Sequence, residues 1–335
     1  MQDGLVQGAE DGGVAHEGQG ADASPETLAP AFVQGAREAG IELTLCGDAD
    51  KIRACLTEDD LSFVTVCHAE SVITMEDSAM SAVKKKKDSS MATALRLLKE
   101  GEGDVVISAG NTGALVTGAS VIVGRLEGMK TAAIGTILPL STPTLLMDSG
   151  ASINLLPENL VQFAHLGSAY MKAIFGMEEA RVGLINNGAE ETKGTEFYRT
   201  AHELLKQEEG IRFVGNIEGR DVPFGRCDVL LCDGFVGNIV LKRSEGFGFY
   251  FSGILKQGLL SSLRSKFAAM LLKPQLKDLR KKLDYTEYGG APILGIAAPV
   301  IKAHGASSPK AIVSAVKMAA RVAESDFFRR DCGSN

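Results

Sequence analysis

The chain reads as an α/β protein built on a mostly parallel sheet, and three observations predict this. Apolar runs of strand length alternate with amphipathic helical runs from Ile41 onward, an alternation that favours strands running in the same direction. Two strand-to-helix loops share one design: Val105-Val-Ile107 enters Ser108-Ala-Gly-Asn-Thr-Gly-Ala-Leu115, and Val229-Leu-Leu-Cys232 enters Asp233-Gly-Phe-Val-Gly-Asn238. The composition, 45% hydrophobic and 23% charged over 335 residues, is that of a chain with a sizeable core in one large or two medium domains.

Taken in order, residues 1–22 are rich in Gly, Asp and Glu, and the first basic residue is Arg37, so a poorly ordered or divergent start is expected. Ser24-Pro25 signals a helix running to about Gly40, with Ser as cap and Pro at the first helical position. Ile41 to Cys46 reads as a strand, Gly47-Asp-Ala-Asp50 as the cap of a second helix, and Ser62 to Cys67 as another strand. Ala92, Ala94, Leu95, Leu97 and Leu98 have helical spacing after Lys84-Lys-Lys-Lys-Asp-Ser-Ser-Met91. Thr131 to Leu138 and Pro143 to Asp148 are strand-like, Pro157 to Phe175 is a helix, and Arg181 to Ile185 is a strand. The helix Glu196 to Glu209, the strand Arg212 to Val214, the strand-like Pro299 to Ile301 and a last helix from Lys310 to about Phe328 complete the α/β part.

Residues 246–283 have another character. Phe247, Phe249, Tyr250, Phe251, Ile254, Leu255, Leu259, Leu260 and Leu263 give a wide apolar face, and Phe267-Ala-Ala-Met-Leu-Leu272 follows among Arg264, Lys266, Lys273 and Lys277. An amphipathic helical hairpin that turns near residues 265–274 is expected, with Met270, Leu271 and Leu272 at a tip suited to a lipid interface. Packing of one copy on another explains the same face.

The charge of −7 excludes a general nucleic-acid binder, because phosphate neutralisation needs surplus Lys and Arg. The six cysteines form no C-x-x-C pair and no zinc spacing with His, so reduced thiols, a cytoplasmic setting and no metal are expected. No apolar run reaches the length of a membrane span. Phosphate-loop, dinucleotide, serine-hydrolase and zincin signatures are missing, and no cofactor is expected.

What remains is a set of strand-end loops rich in donors. Gly110 and Gly113 permit a tight turn, Asn111 and Thr112 place amide and hydroxyl at a helix start, and such a turn suits an anion, although turns use these residues anyway. Lys87, Ser89 and Ser90 combine charge and hydroxyls at another helix start, or are a solvated run with its caps. Asn186-Asn-Gly-Ala-Glu-Glu-Thr-Lys-Gly194 gathers Glu190, Glu191 and Lys193 where open α/β sheets put ligands, or is an acidic helix start. His165 reads as structural, and His304, before Gly305 at a strand end, as the histidine facing a site.

In these motifs, with Val161-Gln-Phe-Ala-His-Leu-Gly-Ser-Ala-Tyr170, Tyr288-Gly-Gly-Ala-Pro-Ile-Leu-Gly295 and Val300-Ile-Lys-Ala-His-Gly305, the chain resembles the bacterial phosphate acyltransferase (PlsX) family over roughly residues 22–328. The family's opening V-D-A-M-G-G-D loop is matched only by His16-Glu-Gly-Gln-Gly-Ala-Asp22, and its L-D-x-G-A-N by Met147-Asp-Ser-Gly-Ala-Ser152. The resemblance implies a three-layer α/β/α domain over 23–330 related to phosphotransacetylases and to isocitrate and isopropylmalate dehydrogenases, with the hairpin 246–283 protruding. It implies a homodimer, peripheral contact with the inner face of the cell membrane, and transfer of an acyl group from acyl carrier protein (ACP) to inorganic phosphate in phospholipid synthesis. For that chemistry Lys87, Ser89, Ser90, Gly110, Asn111, Thr112, Gly113 and Glu191 are expected to bind substrate, Lys193 to stabilise charge, and Asp233, Asn238 and His304 to position groups or move protons. A CoA-dependent phosphate acetyl- or butyryltransferase, or a non-catalytic scaffold for lipid-synthesis partners, are the competing expectations.

Overall fold

The computed structural model describes the backbone of residues 4–8 and residues 25–140, 142–152, 154–276, 289–303 and 308–329. In chain order the strands are β1 (Gly4–Gly8), β2 (Glu42–Gly47), β3 (Val64–His68), β4 (Val105–Ser108), β5 (Ala133–Ile134), β6 (Thr136–Pro139), β7 (Pro143–Met147), β8 (Arg181–Asn186), β9 (Arg212–Glu218), β10 (Val229–Leu231), β11 (Ala291–Leu294) and β12 (Val300–Lys302). The helices used below are α1 (Pro25–Ala39), α2 (Ala49–Ala54), α3 (Glu58–Phe63), α4 (Ala79–Lys85), α5 (Ser90–Glu100), α6 (Thr112–Gly118), α7 (Pro157–Phe175), α8 (Glu196–Gln207), α9 (Gly234–Leu260), α10 (Leu263–Leu271) and a C-terminal helix (Pro309–Glu324).

The predicted α/β class holds, and the strands divide between two sheets, ordered β3-β2-β1-β4-β12-β11-β5 and β6-β7-β10-β8-β9. Pairing is parallel except where β11 meets β12 and β5 and where β6 meets β7. Only Gly135 separates β5 from β6, so one short run of chain carries the first sheet into the second.

Side chains alternate across a strand, and here the alternation builds layers. On β4, Val105 and Ile107 enter a large core with α1 and the C-terminal helix, while Val106 enters a second core with α5 and α6. On the other sheet Leu145, Met147, Val182, Leu184, Val229 and Leu231 join the same large core under α7, whereas Leu146, Ile185 and Leu230 face a third cluster closed by Val236, Val240 and Leu241 of α9. Each sheet is therefore covered on both faces, and the large core binds the two sheets together.

Three segments depart from the sequence reading. Within the opening segment, Gly4–Gly8 lies in parallel register between β2 and β4, a place that five residues without apolar periodicity did not signal. The strand expected from Ser62 starts at Val64, because Thr57 and Asp60 form a capping box that nucleates α3 through Phe63. The hairpin turns at Ser261-Ser262, earlier than residues 265–274, since Ser262 caps α10 by accepting the Ser265 N–H at 3.1 Å. Phe267 to Leu272 consequently lies along α10 and its C-cap, and the basic residues from Lys277 onward lie outside the described residues.

The 27-residue α9 leaves the body of the protein after its first turns. Phe247, Phe249, Tyr250, Leu263, Phe267, Met270 and Leu271 are all at least half exposed, which makes α9–α10 the protruding helical arm expected from the sequence. Among the described residues no helix is long and apolar enough to cross a membrane.

Candidate active site

The loops at the C-terminal ends of β4 and β12 form one half of the candidate site. Ser108 closes β4, and its Oγ accepts the N–H of Gly110 at 3.2 Å, which folds the chain back into the turn. Asn111 then caps α6, with Oδ1 accepting the Ala114 N–H at 2.9 Å. Its Nδ2 donates to the carbonyls of Thr74 at 3.1 Å and Met75 at 3.3 Å, so this single side chain both starts the helix and ties the turn to a neighbouring loop. Thr112 is half-buried and Gly113 exposed at the outer side of the turn.

The 74–77 loop is itself braced. Asp77 accepts from Lys86 Nζ at 2.6 Å and from the Thr74 N–H at 2.8 Å, and these bonds hold its carboxyl below the usual range. Lys86 also donates to the Val72 carbonyl at 2.7 Å. The lysine run is therefore divided: Lys86 is an internal strut, while Lys84, Lys85 and Lys87 are exposed. Ser89 caps α5 by accepting the Ala92 N–H at 3.3 Å, and the fully buried Ser90 hydroxyl has no hydrogen-bond partner among the described residues. Across the register from Ser108 stands Lys302, 9% exposed, whose Nζ donates to the carbonyls of Ala109 and Ala303.

The loops after β7, β8 and β10 form the other half. Asp148 is fully buried and accepts N–H groups from Ile134, Gly150, Ala151 and Ser152 at 2.6–3.1 Å. Burial pushes this carboxyl upward, and the ring of backbone donors pulls against it. Asp148 thereby fixes the 148–152 loop, against which α9 starts: the Gly234 N–H donates to the Ser152 carbonyl at 2.8 Å. The approach is so close that a Cβ on Gly237 would stand 1.9 Å from the Asp148 carbonyl oxygen, so only glycine fits. On its other side Ala151 packs with the core of Val106, Ala114, Leu115 and Val300, which brings the two sheets' loops to either side of 148–152.

Asp233 caps α9 by accepting the N–H groups of Phe235 and Val236 at 2.9 and 3.0 Å, and Tyr198 donates its hydroxyl to the other carboxylate oxygen at 2.6 Å. Burial, with the Asp233 carboxylate after it, raises the Tyr198 phenol far above its ordinary range and keeps it a proton donor. Three side chains pin the β8–α8 loop: Asn186 Nδ2 on the Lys193 carbonyl, Arg199 on the Gly194 carbonyl, and Asn216 on the Glu190 carbonyl. Gly194 has φ +91° and touches Asn186 so closely that a side chain is barred. Lys193 stands exposed between these pins with no carboxylate in ion-pair range among the described residues. Glu191 is exposed and paired with Lys206 at 2.7 Å.

The structure thus places Lys193 in the loop after β8, Asp233 at the cap of α9 and Asn238 near the start of that helix, with Ser89 and Ser90 at the start of α5 and residues 110–113 in the turn after β4. His304 lies outside the described residues, and Met270, Leu271 and Leu272 are on the arm. Sequence reasoning gave no role to Tyr198, Asp148 or Lys302. The last two sit in quoted motifs, yet nothing in their spacing told that both would be buried. Cys232, next to Asp233, is fully buried and donates to the Asp148 carbonyl at 3.6 Å; burial pushes its thiol well above the ordinary range.

The family model described as fatty acid synthesis protein matches residues 14–330. The chain belongs to the fatty acid synthesis protein family. Members named phosphate acyltransferase include those of Caldanaerobacter subterraneus, 43% identical over 94% of this chain and 95% of that one, and Thermoanaerobacter pseudethanolicus, 44% identical over 94% and 95%. A phosphotransacetylase from Streptococcus pyogenes shares the fold with TM-score 0.63 at 14% identity, covering 96% of this chain and 94% of that one. A branched-chain phosphotransacylase from Enterococcus faecalis does so with TM-score 0.55 at 11% identity, covering 96% and 99%.

Proposed function

We propose that the chain transfers an acyl group from acyl carrier protein to inorganic phosphate, giving acyl phosphate and free carrier. The observation that carries this reading is a site rich in donors and cations whose neighbouring thiol is disarmed by burial. Such a site favours direct attack over a covalent acyl-enzyme. A phosphate oxygen attacks the thioester carbonyl, the C–O bond forms, the C–S bond breaks, and the thiolate takes up a proton. The site then has to hold a dianion, stabilise an oxyanion and accommodate the leaving sulfur, all of which donors in a preorganised loop can do.

In this reading Thr112 and the N–H groups of residues 111–113 hold phosphate, with Gly110 and Asn111 shaping that turn and Ser89, Ser90 and Lys87 assigned to the same substrate. Lys193 neutralises charge on the reacting oxygens. Asp233, oriented by Tyr198, and Asn238 position the groups around it, with His304 assigned to proton transfer; Glu191 steadies the loop through Lys206. Incubation with acyl-ACP and phosphate should yield acyl phosphate only when both are present. Equal or faster turnover of acyl-CoA would instead mark a CoA-dependent enzyme, and no turnover of either donor a scaffold.

The arm has two proposed uses: pairing of two copies along α9–α10, and attachment to the inner face of the membrane through Met270, Leu271 and Leu272. Large apolar side chains contribute about 1.5–3 kcal/mol each when fully buried, enough for reversible attachment. Replacing these three residues with Ser should release the protein from anionic vesicles in flotation while leaving acyl transfer in solution intact. Persistent flotation would place the anchor elsewhere, and a collapse of solution activity would place the segment in the dimer contact.

A further inference from the structure

Lys302 occupies a position where an apolar residue would be the cheaper choice. It ends β12, the neighbour of β4 in the middle of the seven-stranded sheet, and is 9% exposed. Burying an ammonium is costly unless strong acceptors surround it. Two of its partners are carbonyl oxygens, those of Ala109 and Ala303, each at 2.7 Å. The Ala109 carbonyl belongs to the same peptide unit as the Gly110 N–H, which donates to Ser108 Oγ at 3.2 Å. A trans peptide is planar with its C=O and N–H pointing in opposite directions. The Ala109–Gly110 peptide is therefore a rigid plate held at both edges, by Lys302 on one and Ser108 on the other. The next residue, Asn111, begins α6 and is held in turn by the 74–77 carbonyls.

We infer that Lys302 is a positioning residue for phosphate: it sets the orientation of the Ala109–Gly110 peptide, and through it the direction in which the turn offers its donors, without touching substrate. This rests on the reading of the 110–113 turn as the phosphate site. It assigns Lys302 to the phosphate half of the site, because the two carbonyls it holds flank the ends of β4 and β12, where the 110–113 turn begins.

The test is Lys302→Met, which keeps the apolar stem and removes the donors. It should raise the KM for phosphate at least tenfold, leave the KM for acyl-ACP unchanged, and hold kcat at saturating phosphate within threefold. The rise in melting temperature that phosphate gives the wild type should shrink in step, a readout independent of turnover. Lys302→Gln, which keeps one donor group, should fall between wild type and Lys302→Met, and it carries the same measurements if the Met variant does not fold. A merely structural lysine would lower melting temperature and kcat while leaving both KM values alone, and that result overturns the inference. A wild-type protein that makes no acyl phosphate overturns the functional reading instead, so the two failures are distinguishable.

Discussion

Lys193→Met should lower kcat about a hundredfold to a thousandfold while changing the KM for phosphate far less. That is the range for losing one preorganised group that meets charge only as the transition state forms. The expectation follows from how Lys193 is held. Asn186, Arg199 and Asn216 fix the backbone on both sides of it, and Glu191, the carboxylate that would neutralise it, is engaged by Lys206. The ammonium is thus supported by a rigid loop and left available to a ligand. Because its side chain is exposed, the substitution removes no core contact, so the melting temperature should stay close to that of the wild type. A large rise in phosphate KM at unchanged kcat would make Lys193 a binding residue only.

Asn111→Ala should act on both stability and turnover. The helix cap is worth about 1 kcal/mol, and the bonds to the Thr74 and Met75 carbonyls add roughly 1 kcal/mol each. A loss of about 2–3 kcal/mol is expected in denaturant unfolding, by summing those contributions. Turnover under conditions where the variant stays folded should fall tenfold to a thousandfold, because the turn loses its tie to the 74–77 loop. Asn111→Asp, which keeps the cap but loses the donor to the carbonyls, should retain the helix start and still lose activity. Unchanged kinetics in a folded Asn111→Ala variant would remove the turn from the site.

Much of this was legible in the sequence because strand-to-helix loops carry their own punctuation. Asp233 follows an apolar strand and precedes Gly234, and it proved to be a cap whose second oxygen accepts the Tyr198 hydroxyl. Ser89 and Asn111 were read as helix-start residues for the same reason, and both are caps. Partnership across the chain was not legible. Tyr198 lies 35 residues from the aspartate it orients, and Lys302 lies 193 residues from the carbonyl it holds. Among four adjacent lysines only burial separates Lys86, which braces Asp77, from Lys87. β1 escaped notice because its place comes from strands on either side, and the Ser262 cap puts the hairpin turn earlier than the expected 265–274.

Phosphate is expected to attack the acyl donor directly, with both substrates bound together and no acyl group ever on the protein. Buried thiols, with Cys232 beside Asp233 driven far from thiolate, underlie this expectation. Initial rates measured over a grid of acyl-ACP and phosphate concentrations test it most directly, paired with intact-protein mass spectrometry after mixing with acyl-ACP alone. Direct attack gives intersecting double-reciprocal lines and an unmodified protein mass; parallel lines together with a protein heavier by one acyl group would show a covalent acyl-enzyme instead.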